Sequence, residues 1–455
     1  MSQLPQGPTT PPFWQLLNWI FDPFDFLERC ARRYGDLFTI RLGGFRPLVF
    51  VAHPQGVQEI FAVDAKLFDA GRGNVIVRPL VGENSLLVLD GEHHRRDRKL
   101  LMPPFHGESL RRYAQQICQI AQQEAQWQLG QTINMRRAMQ SITLEVILQV
   151  VFGIREGERY QQLKPLTADL LEQVASPIRS SLLFIPFLQQ NWGPWAQFTQ
   201  LLECIRTLLQ AEIDERRPQS PTDTPSKDIL ALMMAARTES GVALSDRELQ
   251  DELLTLLLAG HETTATALSW AFYWVCQCPQ VQEKLLAELA SLGDRPEPMA
   301  IYQLPYLTAV CEETLRLYPV VPITSPRIAK TPVTVMGRQF GAETSFAPCI
   351  YLIHHREDLY PHSHQFRPER FLERQYSPYE FLPFGGGNRR CLGAALAMLE
   401  LKLVLATLLS SYQFQLTASQ PIKPVRRGVT LAPHNGVPLR LIGRRQLSQP
   451  IATPY

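Results

Sequence analysis

Three consecutive glycines and a cysteine form a motif with chemical potential near the C-terminal end, Phe384-Gly-Gly-Gly-Asn-Arg-Arg-Cys391-Leu-Gly393. Consecutive glycines are costly inside a helix or strand, and they suit backbone that approaches another group closely. The apolar stretch that follows, from Ala394 to about Leu409, predicts a helix, so Cys391 is expected at a helix N-terminus. There the helix dipole and the two preceding residues, Arg389 and Arg390, favour the thiolate over the thiol.

A lone thiolate in a glycine loop fits some chemical uses better than others. A zinc site needs several Cys or His ligands at short spacing, and none accompany Cys391. A cysteine nucleophile needs a base from elsewhere in the chain. A single axial thiolate on haem iron fits best, because it donates electron density to iron and favours O–O cleavage. The alternative is a buried, inert cysteine in a turn.

A long apolar helix is predicted upstream of this loop. Ser245-Asp-Arg-Glu248 is a capping box, and the helix runs to about Cys278, where Pro279 stops it. Some 33 residues at 1.5 Å each span roughly 50 Å, enough to cross the molecule. Its middle contains Ala259-Gly-His-Glu-Thr-Thr264, although Gly and Thr are poor helix formers. A broken local rule in a buried helix indicates a functional site.

These motifs together resemble the cytochrome P450 superfamily, the haem-thiolate monooxygenases, and the resemblance covers nearly the whole chain. It implies a mainly α-helical fold with a smaller β-rich lobe, and haem b between the long helix and the cysteine loop. Cys391 is then the axial ligand of the haem iron. The loop residues implied to surround the cofactor are Phe384, Gly385, Gly387, Arg389 and Gly393.

The resemblance also gives roles to the middle of the long helix. Thr263 is implied to be the alcohol that holds bound oxygen and a water, and Glu262 the acid that relays protons. Ala259 and Gly260 are implied to leave space for O2 above the iron. We interpret His261 as a wall residue and not as a ligand. The alternative for the whole motif is a helix kink without chemistry.

Basic residues are expected to bind the two haem propionates. His94 and Arg98 are four residues apart and share a helix face. Burial of carboxylates requires cationic partners, and the family places similar residues at this spacing. Arg327 is a further candidate. The alternative for the 91–100 region is a solvated basic start of a helix.

Other residues are assigned supporting roles by the resemblance. Glu313 and Arg316, with Arg370 from Pro-Glu-Arg-Phe, are expected to form a buried structural network that fixes the segment leading to the cysteine loop. The apolar segment 181–188 is implied to roof a substrate pocket. The residues predicted to line that pocket are Ala259, Thr263, Val320, Val321, Ile323 and Thr324.

We predict one cytochrome P450 domain over residues 1–455. Its β-rich lobe is expected at about 35–70 and 320–350 with C-terminal hairpins, and its helical lobe at 90–320 and 380–415. Gly43-Gly44 between two alternating stretches predicts an early hairpin. Residues 428–433 and 437–441 are predicted to pair as a closing hairpin.

Composition excludes several classes of protein. A net charge of +2 gives no field suited to nucleic acid. Eight scattered cysteines favour a reduced, cytoplasmic protein. No signal peptide or transmembrane anchor is evident at the N-terminus, and the aromatic segment 13–21 is expected to pack against the body. We expect a monomer.

The predicted activity is insertion of one atom of O2 into an apolar substrate. Electrons from NAD(P)H would come through separate partners, a ferredoxin with its reductase or a flavodoxin, docking near Arg390. The helix motif and Pro-Glu-Arg-Phe resemble eukaryote-like members, whereas the missing anchor resembles soluble bacterial or cyanobacterial ones, which suggests fatty acids, alkanes or terpenes. The rival interpretations are a haem-thiolate peroxygenase or isomerase, and a non-enzymatic haem-binding sensor.

Overall fold

The computed structural model describes residues 4–175, 193–217, 228–293 and 295–445. The predicted roof at 181–188 lies outside these residues. The helices are α1 Pro12–Phe21, α2 Pro23–Tyr34, α3 Pro54–Ala62, α4 Asp64–Leu67, α5 Arg78–Val81, α6 Gly91–Leu101, α7 Glu108–Glu124, α8 Met135–Val146, α9 Glu158–Ala175, α10 Gly193–Arg216, α11 Ile229–Ala235, α12 Asp246–Gln277, α13 Pro279–Ala290, α14 Pro298–Tyr302, α15 Pro305–Leu317, α16 Ile350–His354, α17 Arg370–Glu373 and α18 Ala394–Ser411.

The strands are shorter and form small sheets. They are β1 Leu37–Ile40, β2 Leu48–Val51, β3 Phe68–Asp69, β4 Thr132–Asn134, β5 Arg327–Ala329, β6 Val333–Val335, β7 Arg338–Phe340, β8 Ser345–Pro348, β9 Tyr412–Leu416, β10 Pro424–Arg427, β11 Thr430–Pro433 and β12 Pro438–Arg444. The largest sheet has the order β1-β2-β8-β5-β3, so it joins residues 37–69 to residues 327–348.

Helix α12 is the long central helix that the sequence predicted. The Ser245 hydroxyl accepts a hydrogen bond from the Glu248 N–H, and the Glu248 carboxylate accepts one from the Ser245 N–H at 2.7 Å, which confirms the capping box. The helix ends at Gln277, just before Pro279. Most of its side chains are buried, against α8, α15, α18 and β11.

The early hairpin is confirmed, but the predicted closing hairpin is wrong. β1 and β2 pair antiparallel across Gly43-Gly44. β11 instead pairs with β10, and β12 pairs with β9 and β4. Asn435 and Gly436 have φ of 57° and 79°, and they turn the chain away from β11. The seven residues of β12 then bridge two strands that are distant in sequence, which local pattern cannot indicate.

Three apolar cores meet at the segment 320–324. Val320 packs against the large core of the helices, Ile323 against the core beneath α1 and α2, and Val321 against the core beside α3. Among the described helices, α18 is long and apolar enough to cross a membrane by composition, and most of it is buried within the protein.

The aromatic N-terminal segment forms helix α1. It buries Gln15 and Trp19 against the body, as predicted for this segment. The opposite face leaves Phe13, Trp14 and Phe21 exposed.

Candidate functional site

The three glycines of the cysteine loop serve two different purposes. Gly385 and Gly387 have φ of 66° and 64°, which L side chains rarely adopt. Gly386 lies against the ring of Phe61, where a Cβ atom would be 2.3 Å from a ring carbon. The Cys391 N–H donates to the Phe384 carbonyl at 2.9 Å and closes the loop before α18. The predicted close approach therefore exists, and its partner is an aromatic ring.

The thiol of Cys391 lies in a protected but accessible position. The residue retains accessible surface, yet desolvation by the surrounding protein raises the pKa of its thiol. The Gly393 N–H, Arg98 and Arg390 act in the opposite direction and lower this pKa. Cys391 thus combines accessible surface with desolvation, and a cationic partner such as a metal ion would stabilise its thiolate there.

Arg389 is not directed at the sulfur, which corrects the prediction that it stabilises the thiolate. Its guanidinium donates to the Leu86 carbonyl at 2.8 Å, to the Leu89 carbonyl, and to the Asp90 carboxylate at 2.5 Å. Asp90 also accepts from the backbone N–H groups of residues 70–72. Arg98, from α6, supplies the charge near the thiol that was predicted for Arg389.

Arg98, Arg327 and Arg389 surround the buried imidazole of His94. Burial lowers the pKa of His94 to about 3, and the three guanidinium groups lower it further against the opposing charge of Asp90. His94 is therefore neutral and available as a hydrogen-bond donor, and the cationic partners expected for the propionates are the arginines. One carboxylate among three arginines leaves an excess of positive charge at this position.

This donor set fits a haem. Two of the arginines are attached to the cysteine loop itself, because Arg98 donates to the Arg390 carbonyl at 2.7 Å and Arg327 to the Gly386 carbonyl at 3.3 Å. Arg327 is 1% exposed and lies over the Phe61 ring. Excess guanidinium charge beside a protected thiol matches a cofactor with an iron centre and two carboxylates.

One face of α12 is open in the middle of an otherwise buried helix. Ala259 is exposed and Thr263, four residues later, is partly exposed. The Thr263 hydroxyl donates to the Ala259 carbonyl at 2.5 Å, so its oxygen remains free to accept a hydrogen bond. Both residues therefore retain accessible surface on one face of a mostly buried helix, which is compatible with the predicted pocket.

Glu262 points to a different side of the helix. Its carboxylate accepts from Arg136 at 2.5 Å and from the Gln140 side chain at 2.8 Å, so both oxygens are bound by α8. His261 is 3% exposed and shares a hydrogen bond of 3.0 Å with the Gln140 carbonyl. Because burial lowers the pKa of His261 to about 4, the ring is neutral and donates this bond.

Gly260 has a packing role that the sequence did not indicate. A Cβ atom there would be 2.9 Å from Cδ1 of Ile147, the first residue of a π-helical turn over Ile147–Val151. The predicted reason for Gly260 was space for O2. The structure shows that its missing side chain also allows α12 and the end of α8 to approach closely.

Glu313, Arg316 and Arg370 form one buried network. Arg316 donates twice to the Glu313 carboxylate, at 2.6 and 2.9 Å, and Arg370 donates at 3.0 Å. Arg316 also donates to the His354 carbonyl at 2.7 Å. The His354 ring accepts from the Leu382 N–H at 3.0 Å, two residues before the cysteine loop begins. The network is thus connected to the loop through His354, a residue that no sequence motif indicated.

The predicted pocket residues 320–324 lie between the sheet and the loop. The Thr324 N–H donates to the Pro348 carbonyl at 3.0 Å, and the Thr324 methyl would be 3.9 Å from a Cβ at Gly385. The Val320 carbonyl accepts from the Leu431 N–H at 2.9 Å. This segment is therefore held beside the loop that contains Cys391.

A turn at residues 82–86 is held by three neighbouring side chains of α12. Asp251 accepts from the Asn84 N–H at 3.1 Å, Glu252 accepts from the Leu86 N–H at 2.6 Å, and Thr255 donates to Ser85 at 2.6 Å. The Leu86 and Leu89 carbonyls and the Asp90 carboxylate of the same segment accept hydrogen bonds from Arg389. Residues 82–90 therefore connect the central helix to the cysteine loop.

Comparison with known proteins agrees with this geometry. The family model described as Cytochrome P450 matches residues 5–439. Cytochrome P450 135B1 of Mycobacterium tuberculosis is 36% identical over 448 residues, covering 98% of this chain and 93% of that protein. Cytochrome P450 135A1 of the same species is 34% identical over 450 residues, covering 98% and 96%.

A solved structure shows the same fold. The retinoic acid-bound cyanobacterial CYP120A1 aligns with a TM-score of 0.84 and 28% identity, over 97% of this chain and 99% of that one. The chain belongs to the cytochrome P450 family. Membership confirms the predicted fold class, and in general terms a haem-dependent oxidoreductase of the monooxygenase type that uses O2.

Proposed function

We propose that this protein binds haem b through the Cys391 thiolate and inserts one atom of O2 into an apolar organic substrate. The observation that carries the proposal is the accessible Cys391 thiol in a closed glycine loop, next to a cluster of guanidinium groups. When bound, the haem would supply the binding and reductive activation of O2.

The residues around the cofactor have distinct roles in this proposal. His94, Arg98, Arg327 and Arg389 would bind the propionates, and Arg389 would exchange part of its contact with Asp90 to do so. The Gly393 N–H stabilises the sulfur, as its effect on the pKa of Cys391 supports. Phe384 and Gly385 would enclose the cofactor on the side of Cys391. Ala259 and Gly260 would leave space for O2 on the opposite side, because neither has a bulky side chain.

Proton delivery depends on the neighbouring residues of α12. The Thr263 hydroxyl, already oriented by the Ala259 carbonyl, accepts a hydrogen bond from a water and holds it in the pocket. Glu262 is the proton source in this proposal. Because Arg136 and Gln140 donate to both of its oxygens, Glu262 must rotate away from α8 and take up a proton from solvent before it can donate to that water.

The proposal extends to the class of substrate and to the electron donor. We propose a fatty acid, alkane or terpene that packs against Val320, Val321, Ile323 and Thr324. Retinoic acid, which is bound in the related cyanobacterial structure, is an apolar isoprenoid of this kind. NAD(P)H would supply electrons through a ferredoxin and its reductase, or a flavodoxin, at the side of the molecule where Arg390 is exposed. We propose a cytoplasmic monomer.

The deciding experiment is the absorption spectrum of the reduced, CO-bound protein beside its Cys391→Ser variant. The wild type should show a strongly red-shifted Soret band, and the variant should lose it. Cys204→Ser, at another exposed cysteine, is the matched control and should retain the band. Absence of haem binding, or a band that survives Cys391→Ser, would refute the proposal.

Turnover measurements separate the rival functions. Peroxide-driven turnover that survives Thr263→Ala, with no donor-driven turnover, would indicate a peroxygenase or isomerase. Ligand binding without O2 consumption in the presence of a reduced donor would indicate a sensor.

A further inference from the structure

Arg427 belongs to a hairpin that contacts both the 320–324 segment and the central helix α12. It ends β10 and pairs with Thr430 across the β10–β11 hairpin. The next residue of β11, Leu431, donates its N–H to the Val320 carbonyl at 2.9 Å and accepts from the Trp270 indole at 3.0 Å. The hairpin is therefore fixed to the segment that we assign to the pocket and to α12.

The charges near Arg427 are unbalanced. Glu262 of α12 is the carboxylate that attracts Arg427, and both of its oxygens are bound by Arg136 and Gln140. Burial lowers the pKa of Arg427, repulsion from Arg136 lowers it further, and the attraction of Glu262 only partly opposes these effects. Arg137 adds a third cation to the group.

Two buried donors in this cluster lack a hydrogen-bond acceptor among the described residues. They are the Nε atoms of Arg427 and Arg136, and Arg136 is 7% exposed. A buried donor without a partner costs about 1–3 kcal/mol, more for a charged group. Gly428, which follows Arg427, lies beside the Val174 carbonyl of α9.

We infer that Arg427, supported by Arg136, binds the carboxylate of an amphipathic substrate whose apolar part lies along the 320–324 segment. Guanidinium groups bind carboxylates in a planar, often bidentate arrangement, and a partly desolvated one binds strongly. The inference rests on the proposed function and narrows its substrate class to apolar carboxylic acids, either long-chain fatty acids or isoprenoid acids. Neutral alkanes and terpenes would leave the Nε atoms of Arg427 and Arg136 without an acceptor.

The test uses matched ligands that differ only in the charged group. Full-length, haem-containing protein is titrated with palmitic acid against hexadecanol, and with all-trans-retinoic acid against retinol, by calorimetry and by the ligand-induced change in the haem spectrum. We expect at least one acid to bind at least about tenfold more tightly than its alcohol, the effect of one charged hydrogen bond. The pair that responds identifies the source of the carboxylate.

Variants assign the preference to Arg427. Arg427→Gln should bring the acid down to the affinity of the alcohol and leave the alcohol unchanged, whereas Arg427→Lys should retain part of the preference. Arg440→Gln, at an exposed arginine of β12, is the matched control for overall charge and should behave as the wild type.

The outcomes are distinguishable. Equal binding of acid and alcohol in both pairs by the wild type, or no binding of either acid, would overturn the inference without any variant. A preference that persists in Arg427→Gln would also overturn it. Failure of the proposed function itself would appear separately, as loss of the thiolate-type CO spectrum in the same wild-type preparation.

Discussion

A methyl group at Gly260 would meet Ile147 at a distance that carbon atoms do not normally adopt. Overpacking costs about 1–3 kcal/mol, and the higher helix propensity of alanine offsets about 1 kcal/mol of that cost. We therefore predict that Gly260→Ala lowers the free energy of unfolding by a net of about 0–2 kcal/mol. Ile147→Val removes the contacting Cδ1 atom and should restore stability in the double variant. Urea unfolding of the four proteins measures the coupling. Additive effects of the two substitutions would show that the close approach is unimportant.

The buried ring of His354 makes stability depend on pH. Burial and the nearby Arg316 lower its pKa to about 3, and its ring accepts the Leu382 N–H. The unfolded imidazole titrates near 6.5. This group therefore contributes its full stability above pH 6.5, and the contribution is lost as pH falls from 6.5 toward 3.

The corresponding prediction concerns the His354→Gln variant. Between pH 7.5 and pH 5 the wild type should lose about 2 kcal/mol through this group, and His354→Gln should lack that part of the loss in urea unfolding. His364→Gln, at a side chain that is 65% exposed, is the control and should retain the wild-type dependence. Equal pH dependence in all three proteins would contradict the assignment.

At the scale of elements, α15 fixes the long connection before the cysteine loop. Glu313→Gln leaves Arg316 and Arg370 buried without their carboxylate, so we predict a loss of about 3–5 kcal/mol in the free energy of unfolding. Limited proteolysis should then cut within residues 355–382 before other regions.

A matched exposed pair provides the comparison. Asp22→Asn disrupts an ion pair with Arg29 whose side chains are 51% and 45% exposed, and it should cost less than about 1 kcal/mol. A similar cost for both substitutions would show that burial of the Glu313 network adds nothing.

Elements with local signals were predictable from sequence. The capping box at Ser245 and the stop at Pro279 bound α12, and the glycine pair at 43–44 gave the β1–β2 hairpin. The pattern at 437–441 predicted a strand where β12 lies, but its pairing was not predictable, because its partners β9 and β4 are set by packing across the fold. Sequence patterns report on neighbours in the chain, and strand pairing of this kind depends on distant ones.

The same limit applies to the site within the whole molecule. Cys391, Thr263 and the arginines were identified by type and spacing, but their partners were not. The Glu262 carboxylate is bound by a residue 126 positions away, and Arg389 by Asp90 at 299 positions. The neutral state of His94 likewise follows from burial among three arginines, which no local pattern contains.

The connection made by residues 82–90 also has a consequence for biosynthesis. Leu86 is synthesised 303 residues before Arg389, the residue to which its carbonyl is bonded. At about 5–20 residues per second, the ribosome needs on the order of 15–60 s to make the intervening chain. During that time residues 82–90 can dock on α12 but not on the cysteine loop. The cationic site can close only after Arg389 has emerged from the ribosome, so complete enclosure of the cofactor cannot precede synthesis of the cysteine loop.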